Sequence, residues 1–159
     1  MKRYLLFLLL AVSAGCSSNT APENQLPLDS ILNAGENVRI GEKTYILNTY
    51  LYRDFMPVIP PGGNGLIAIA NVETNDKSPA DSGIDPYEIY ILNKGTIYSS
   101  FFTDESKPPL TQYPYRIERI MRNGPMLETG ILVDVVVKIK YGNRDYFLKA
   151  YRQSVYRTD

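Results

Sequence analysis

The sequence predicts an all-β domain, built as an antiparallel β-sandwich of about seven strands with an immunoglobulin-like organisation. Three observations support this class. From residue 38 onward Val, Ile, Tyr, Phe and Thr are dense, as in strands, and turn residues interrupt them at short intervals. The chain shows no long amphipathic helical pattern and no internal repeat. A small β-barrel is the alternative that the same pattern allows.

The first 15 residues have the pattern of an export signal. Two basic residues are followed by an apolar run, 4–12, that is too short to cross a bilayer as a helix. The small residues Ser13-Ala14-Gly15 then precede Cys16, the only cysteine of the chain. This order resembles the lipobox of bacterial lipoproteins, with Ser13 where that family usually carries Leu. The resemblance implies cleavage before Cys16, a diacylglycerol on its sulfur and acylation of the new N-terminus.

The residue after the cysteine carries a second part of the resemblance. Ser17 occupies the place at which Asp, in the lipoprotein family, retains the protein in the inner membrane, whereas Ser permits onward sorting. The resemblance therefore implies a cell-envelope protein that is held by lipid in the outer membrane of a Gram-negative cell. It leaves open whether the domain faces the periplasm or the cell surface.

Residues 16–37 are predicted to form the lipidated cysteine and a tether, and residues 38–159 the β-domain. The segment 17–25 is polar and has no periodicity, as in flexible linkers. Four aliphatic residues follow, and Asp29 or Ser30 is placed to cap one helical turn that ends near Gly35. We interpret this part as a strap that packs on the domain, and a segment that docks on another molecule is the alternative.

Several strands are predicted before the last hairpin. They are 44–55, 66–73, a hairpin of 88–92 and 96–102 around Asn93-Lys94-Gly95, and 115–122. In the first of these, Leu47 and Leu51 share one face while Tyr50 and Tyr52 share the other, so we expect the two tyrosines to point outward. The second is apolar on both faces near its middle, which is typical of a central strand.

A two-residue turn at Gly142-Asn143 defines the last hairpin, because it sets Tyr141 opposite Arg144. The resulting register joins apolar residues on one face and charged residues on the other, so a slip of one residue would destroy both matches. The predicted pairs are Ile139–Tyr146, Val137–Leu148, Val135–Ala150, Lys140–Asp145 and Lys138–Phe147. We expect the segment 151–156 to form an edge of the sheet, open to a partner strand.

The composition excludes several kinds of site. There is no histidine, which removes the commonest general base at neutral pH, the usual zinc ligand and the His-dependent nucleophile dyads. Basic and acidic residues number 17 each, and removal of residues 1–15 leaves 15 basic against 17 acidic. This balance argues against nucleic acid as a partner, since such binding needs a concentrated basic surface.

The loop 73–85 collects carboxylates, and oxygen ligands in a flexible loop suit calcium. Its spacing does not match an EF-hand and Lys77 adds an opposing charge, so a solvated loop is the favoured interpretation. Nothing in the sequence sets two carboxylates at the separation that glycoside hydrolysis needs. No nucleophile elbow or phosphate loop is complete. We therefore predict no catalytic, cofactor-binding or metal residues and no cofactor.

Candidate contact residues are tyrosines and prolines. Aromatic rings stack on sugars and anchor protein interfaces, although tyrosine also favours strands for reasons of packing. Prolines stiffen the long connections 56–65 and 104–114, which lowers the cost of ordering them on a partner. The predicted partner-binding residues are Tyr50, Tyr52, Pro57, Pro60, Pro61, Pro108, Pro109, Tyr113 and Tyr115.

These observations predict a membrane-anchored cell-envelope lipoprotein whose non-enzymatic β-domain binds or scaffolds an envelope protein or glycan. A protease inhibitor or a glycan-binding adhesin is one alternative, because rigid loops can plug clefts or grip glycans. A carboxylate-dependent envelope hydrolase is another. The sequence leaves the oligomeric state and the identity of the partner open.

Overall fold

The computed structural model describes residues 27–56, 64–103 and 113–159, and these confirm the all-β class. Cys16 and the predicted export signal lie outside the described residues, as do Pro57, Pro60, Pro61, Pro108 and Pro109. The elements are α1 (Leu28–Leu32), β1 (Asn37–Ile40), β2 (Lys43–Asp54), β3 (Ile67–Thr74), β4 (Asp85–Asn93), β5 (Thr96–Phe101), β6 (Arg116–Met121), β7 (Leu132–Tyr141) and β8 (Arg144–Thr158). In the described part of the chain no helix is long and apolar enough to span a bilayer.

The architecture differs in detail from an antiparallel immunoglobulin-like sandwich. The strands form one curled, mixed sheet in the order β5-β4-β7-β8-β2-β3-β6, with β1 beside the start of β2, and this sheet makes a half-barrel. All pairs are antiparallel except β2 and β8, where Leu51 lies opposite Val155 in a parallel ladder. The predicted number of strands, about seven, is exceeded by one because β1 has only four residues and gives a weak sequence signal.

Strand β8 explains why the sheet is continuous. Its residues 144–154 pair with β7, and its residues 155–158 pair with β2. Within the β7 ladder the register shifts opposite Asp134, where Arg152 takes a positive φ of 53°. An extra residue of this kind bends a strand and increases its twist. The bend lets one strand join both halves of the sheet, so the expectation that 151–156 forms an edge is wrong.

The predicted register of the last hairpin is confirmed. The β7–β8 ladder pairs Tyr141 with Arg144 and Ile139 with Tyr146, and every other predicted pair is present. Gly142 supplies the positive φ that the two-residue turn needs. In the β4–β5 hairpin the turn residues Lys94 and Gly95 both have positive φ, as a type I′ turn requires.

Two apolar clusters stabilise the fold. The larger one fills the inside of the curl with residues from β2, β3, β4, β6, β7 and β8. The smaller one lies on the outside, where Ile31 and Ala34 from the α1 segment cover Tyr90 and Val136. The Gly35 carbonyl also accepts a hydrogen bond from the Lys149 N–H at 2.8 Å. Residues 27–36 therefore form the predicted strap, although the helix begins after Pro27 and neither Asp29 nor Ser30 caps it.

Candidate functional site

Three tyrosine rings lie side by side on the outside of the β2–β8 junction. Tyr50 and Tyr156 are stacked, with ring centroids 5.3 Å apart and an interplanar angle of 22°. The Tyr52 ring also adjoins Tyr50, with centroids 5.4 Å apart. Tyr50 is 43% exposed and Tyr156 is 51% exposed. We call these three residues the tyrosine patch; large aromatic surfaces of this kind are common at binding sites.

The alternation of β2 and the parallel β2–β8 ladder create this patch. Leu47 and Leu51 are buried inside the curl, which turns Tyr50 and Tyr52 outward as predicted. Tyr52 lies opposite Tyr156 in the ladder, so the third ring comes from the chain's last strand. Sequence analysis missed Tyr156 as a site residue, because a pairing between positions so distant in sequence leaves no local signal.

Outward residues of β2, β3 and β6 line up in rows across the sheet, so the surface that bears the tyrosine patch continues onto β3 and β6. The row that contains Tyr50 continues to Ile69 and Ile120. The next outward row consists of Asn48, Asn71 and Glu118. We call the outward side chains of β2, β3 and β6, together with Tyr156, the open face. It combines aromatic, aliphatic and amide groups, which lets it offer both ring contacts and hydrogen bonds.

Asn71 in this polar row has an unusual environment. Its side-chain Oδ1 is shielded from solvent and accepts no hydrogen bond from any group of the described residues. A shielded amide oxygen without a donor costs about 1–3 kcal/mol. The row therefore holds an acceptor whose hydrogen-bonding capacity the fold leaves unused.

A cluster of ions and rings lies at the far end of the open face. Glu73 is 2% exposed, forms an ion pair with Lys77, and accepts a bond from the Arg116 Nε at 2.7 Å. The Arg116 guanidinium also lies over the rings of Tyr113 and Tyr115, at 4.8 and 5.8 Å from their centroids. The predicted contact residues Tyr113 and Tyr115 are thus held beside the open face by a cation that Glu73 positions.

The carboxylates of the loop 73–85 bond to groups of the chain itself. Asp81 pairs with the Lys43 ammonium at 2.7 Å, and this bond raises the pKa of Lys43. Asp76 accepts bonds from the Ser78 hydroxyl and N–H, which lower the pKa of the Asp76 carboxyl. Asp85 pairs with Arg119 at 3.3 Å. Among the described residues no three Asp, Glu, Cys or His side chains converge as a metal site would require.

A groove with a volume of about 540 Å³ opens on the inner side of the half-barrel, beside β5. Its floor is apolar, and its rim carries neutral polar groups. Arg53, 6% exposed, donates from Nη1 to the Leu127 carbonyl at 2.8 Å and so fixes one wall of the groove. The residues that line the groove include the apolar Ile89, Ile91, Met121 and Leu127 and the neutral polar Tyr98 and Ser100.

The structure thus brings Tyr50 and Tyr52 together in one patch, and Tyr113 and Tyr115 together in a second cluster on the same side of the sheet. The five predicted prolines fall on segments outside the described residues. Comparison of the chain with protein-family models, with curated protein sequences and with solved structures gave no match.

Proposed function

We propose that this protein is a cell-envelope lipoprotein, anchored in the outer membrane through Cys16, whose β-domain binds another envelope component without catalysing a reaction. The open face is its binding surface. The single observation that carries the proposal is the tyrosine patch, where two of three adjacent tyrosines are more than 40% exposed. A cluster of exposed aromatic side chains marks an interaction surface, whereas single exposed ones do not.

The loop carboxylates and the lining of the inner groove favour binding over hydrolysis. The carboxylates of the loop 73–85 take part in ion pairs or turn hydrogen bonds, so they serve to order the loop. The described residues that line the inner groove include no carboxylate, so they offer a carboxylate-dependent hydrolase no acid there. For the inhibitor alternative, the stiff loops that would act lie in segments outside the described residues.

A glycan is a specific candidate ligand, because the open face offers both kinds of contact that sugars use. The stacked rings of Tyr50 and Tyr156 present flat apolar surface to solvent. The row of Asn48, Asn71 and Glu118 adds amide and carboxylate groups next to them. A protein partner would use the same rings as anchors, so the ligand class must be separated by experiment.

The experiment compares two double variants of the full-length chain in its native cells. In the first, Tyr50→Ser and Tyr156→Ser remove the exposed rings of the patch. In the control, Tyr151→Ser and Tyr98→Ser remove two tyrosines that are 43% and 36% exposed but lie off the patch. After crosslinking and membrane purification, we expect the patch variant to lose its partner and the control to keep it.

Three readouts separate the parts of the proposal. Mass spectrometry of the mature N-terminus should find that Cys16 is the first residue and that it carries diacylglycerol and an N-acyl chain. Binding of the purified chain to envelope polysaccharide, compared with recovery of a crosslinked protein, separates the glycan from the protein ligand. An unmodified Cys16 thiol would refute the anchor, and equal recovery from the two double variants would refute the open face as the binding surface.

A further inference from the structure

Strand β5 is an edge of the half-barrel that carries no charge. Among the described residues its only strand neighbour is β4, with which it pairs from Thr96 to Phe101. The sequence Thr-Ile-Tyr-Ser-Ser-Phe contains no Lys, Arg, Asp, Glu or Pro. Natural edge strands usually carry such residues to prevent pairing with another chain. Phe101, at 68%, is the most exposed large hydrophobic side chain among the described residues.

The hydrogen-bond pattern of the hairpin shows which groups of β5 face outward. The Phe102 N–H donates to the Tyr87 carbonyl at 3.2 Å, so these opposite residues form a hydrogen-bonded pair. In an antiparallel ladder such pairs alternate with pairs that make no mutual bonds. Tyr98 and Ser100 therefore bond to β4, whereas Ile97, Ser99 and Phe101 direct their N–H and C=O groups to the free edge.

These three residues match the same three residues of a second copy when the two strands pair in an antiparallel arrangement. If Ser99 of one copy lies opposite Ser99 of a second copy, Ile97 of each copy lies opposite Phe101 of the other. All three positions then form hydrogen-bonded pairs across the two-fold axis. A β-branched residue opposite an aromatic residue is a favourable cross-strand pair, and the small serines meet at the two-fold axis without a steric clash.

We infer that β5 pairs with β5 of a second copy of this chain, so that two half-barrels share a continuous sheet. A second copy is favoured over an unrelated strand because the register centred on Ser99 is self-matching and no charge opposes a like charge. The opposite edge, β6, lacks this property, since Arg116, Glu118 and Arg119 lie along its six residues. The dimer adds an assembly state to the proposed binding function and does not depend on lipidation.

Cysteine crosslinking of the full-length chain tests this register directly. In the proposed dimer the Cα atoms of the two Ser99 residues are about 5.5 Å apart, within the range for a disulfide. Those of the two Ser100 residues are roughly 8 Å apart, beyond that range. Oxidation in intact cells should therefore give a disulfide dimer for Ser99→Cys and none for the matched control Ser100→Cys. Cys16 is common to both variants, and thiol labelling checks that both new cysteines are accessible.

Sedimentation of the detergent-purified full-length chain gives a second test. Ser99→Pro removes one edge N–H per copy and leaves the β4 ladder intact, so it should weaken the dimer roughly thirtyfold. Ser99→Thr keeps the N–H and should sediment like the wild type. A wild-type chain that stays monomeric, or equal disulfide yields from positions 99 and 100, would overturn the inference. A mixed disulfide between position 99 and a different protein would also overturn it, in favour of a foreign strand at this edge.

Discussion

The two halves of the half-barrel differ in whether their outer surface is covered by another part of the chain. The outside of β4, β7 and the first half of β8 is covered by the strap, residues 27–36, which buries Ile31 and Ala34 against Tyr90 and Val136. We call this surface the covered face. The open face of β2, β3 and β6 instead keeps Tyr50 exposed next to Tyr156. Both faces belong to one sheet and one chain.

The difference between the covered face and the open face indicates which of the two surfaces stabilises the fold. Where an outer surface is apolar, this chain supplies its own cover from residues 27–36. Where the surface is aromatic and polar, the described residues leave the rings in contact with solvent. Large aromatic side chains that are neither packed nor covered mark interaction surfaces more reliably than scattered aliphatic residues do. Mutations of the residues under the strap should therefore change stability most, and mutations of the exposed rings of the open face should change binding.

The largest expected effect is on the covered face. Ile31 is 0% exposed, and Ile31→Ala should lower the free energy of unfolding by about 2–4 kcal/mol, through lost burial and a cavity over Tyr90. Leu32→Ala on the same helix is the control, because Leu32 is 50% exposed and its truncation should cost within about 0.5 kcal/mol. Urea unfolding of the full-length chain measures both. Equal losses would mean that the strap does not cover the sheet.

A smaller loss is expected at the ion cluster of the open face. Glu73→Gln keeps the shape of the 2% exposed side chain but leaves Arg116 and Lys77 without their carboxylate. Because Arg116 and Lys77 are 30% and 51% exposed, water screens the unpaired charges, and the cost should be about 1–2 kcal/mol. Glu42→Gln, at an exposed position, is the control. An unchanged urea midpoint for Glu73→Gln would show that Glu73 does not organise this cluster.

A gain is expected beneath the strap. The Tyr90 hydroxyl is buried without a hydrogen-bond partner among the described residues, so Tyr90→Phe should raise the free energy of unfolding by about 1 kcal/mol. Burial, followed by the neighbouring Glu88, raises the pKa of the Tyr90 phenol far above its ordinary value of 10.0. The pKa of Tyr90 is higher in the folded state than in the unfolded state. The stability that this difference contributes is therefore fully present below pH 10 and is lost as the pH rises above it.

The Tyr90→Phe variant should therefore lose less stability than the wild type between neutral pH and about pH 11. Urea unfolding at a series of alkaline pH values measures this slope. Tyr98→Phe, at an exposed position of β5, is the control variant. A steeper slope in Tyr90→Phe than in the wild type would contradict the buried position of the phenol.

The smallest effect concerns the loop that follows β3 of the open face. The Ser78 hydroxyl and N–H lower the pKa of the Asp76 carboxyl below 3.8. The Asp76 contribution to stability is therefore present above that pH and is lost as the pH falls through the lowered pKa. Ser78→Ala removes the hydroxyl bond, so NMR titration should show the Asp76 pKa rising toward its ordinary value. Ser82→Ala should leave it unchanged, and an unshifted Asp76 in Ser78→Ala would refute the hydroxyl as the main cause.

The features that could be predicted from the sequence are those encoded by patterns within a short stretch of the chain. The β7–β8 register followed from alternating apolar residues and a two-residue turn, both of which are visible within 20 or so residues. The outward position of Tyr50 and Tyr52 followed from period-two alternation in β2. These predictions needed no knowledge of distant contacts.

The remaining features depend on contacts between distant parts of the chain. The bend at Arg152 sends the end of β8 to β2, and only that pairing brings Tyr156 to Tyr50. In the resulting order β8 lies in the middle of the sheet, and β5 is one of its ends. Arg116 gathers Tyr113 and Tyr115 because Glu73 lies on the neighbouring strand. No local sequence signal encodes these pairings.

Site-specific photo-crosslinking tests the central claim, that partners bind the open face rather than the covered one. A benzophenone amino acid would replace Tyr50 in one full-length chain and the exposed Leu32 of the strap in another. On irradiation of living cells, position 50 should give a discrete adduct that disappears when Tyr156→Ser is added, and position 32 should give none. The same adduct from both positions, or an adduct from position 32 alone, would contradict the account.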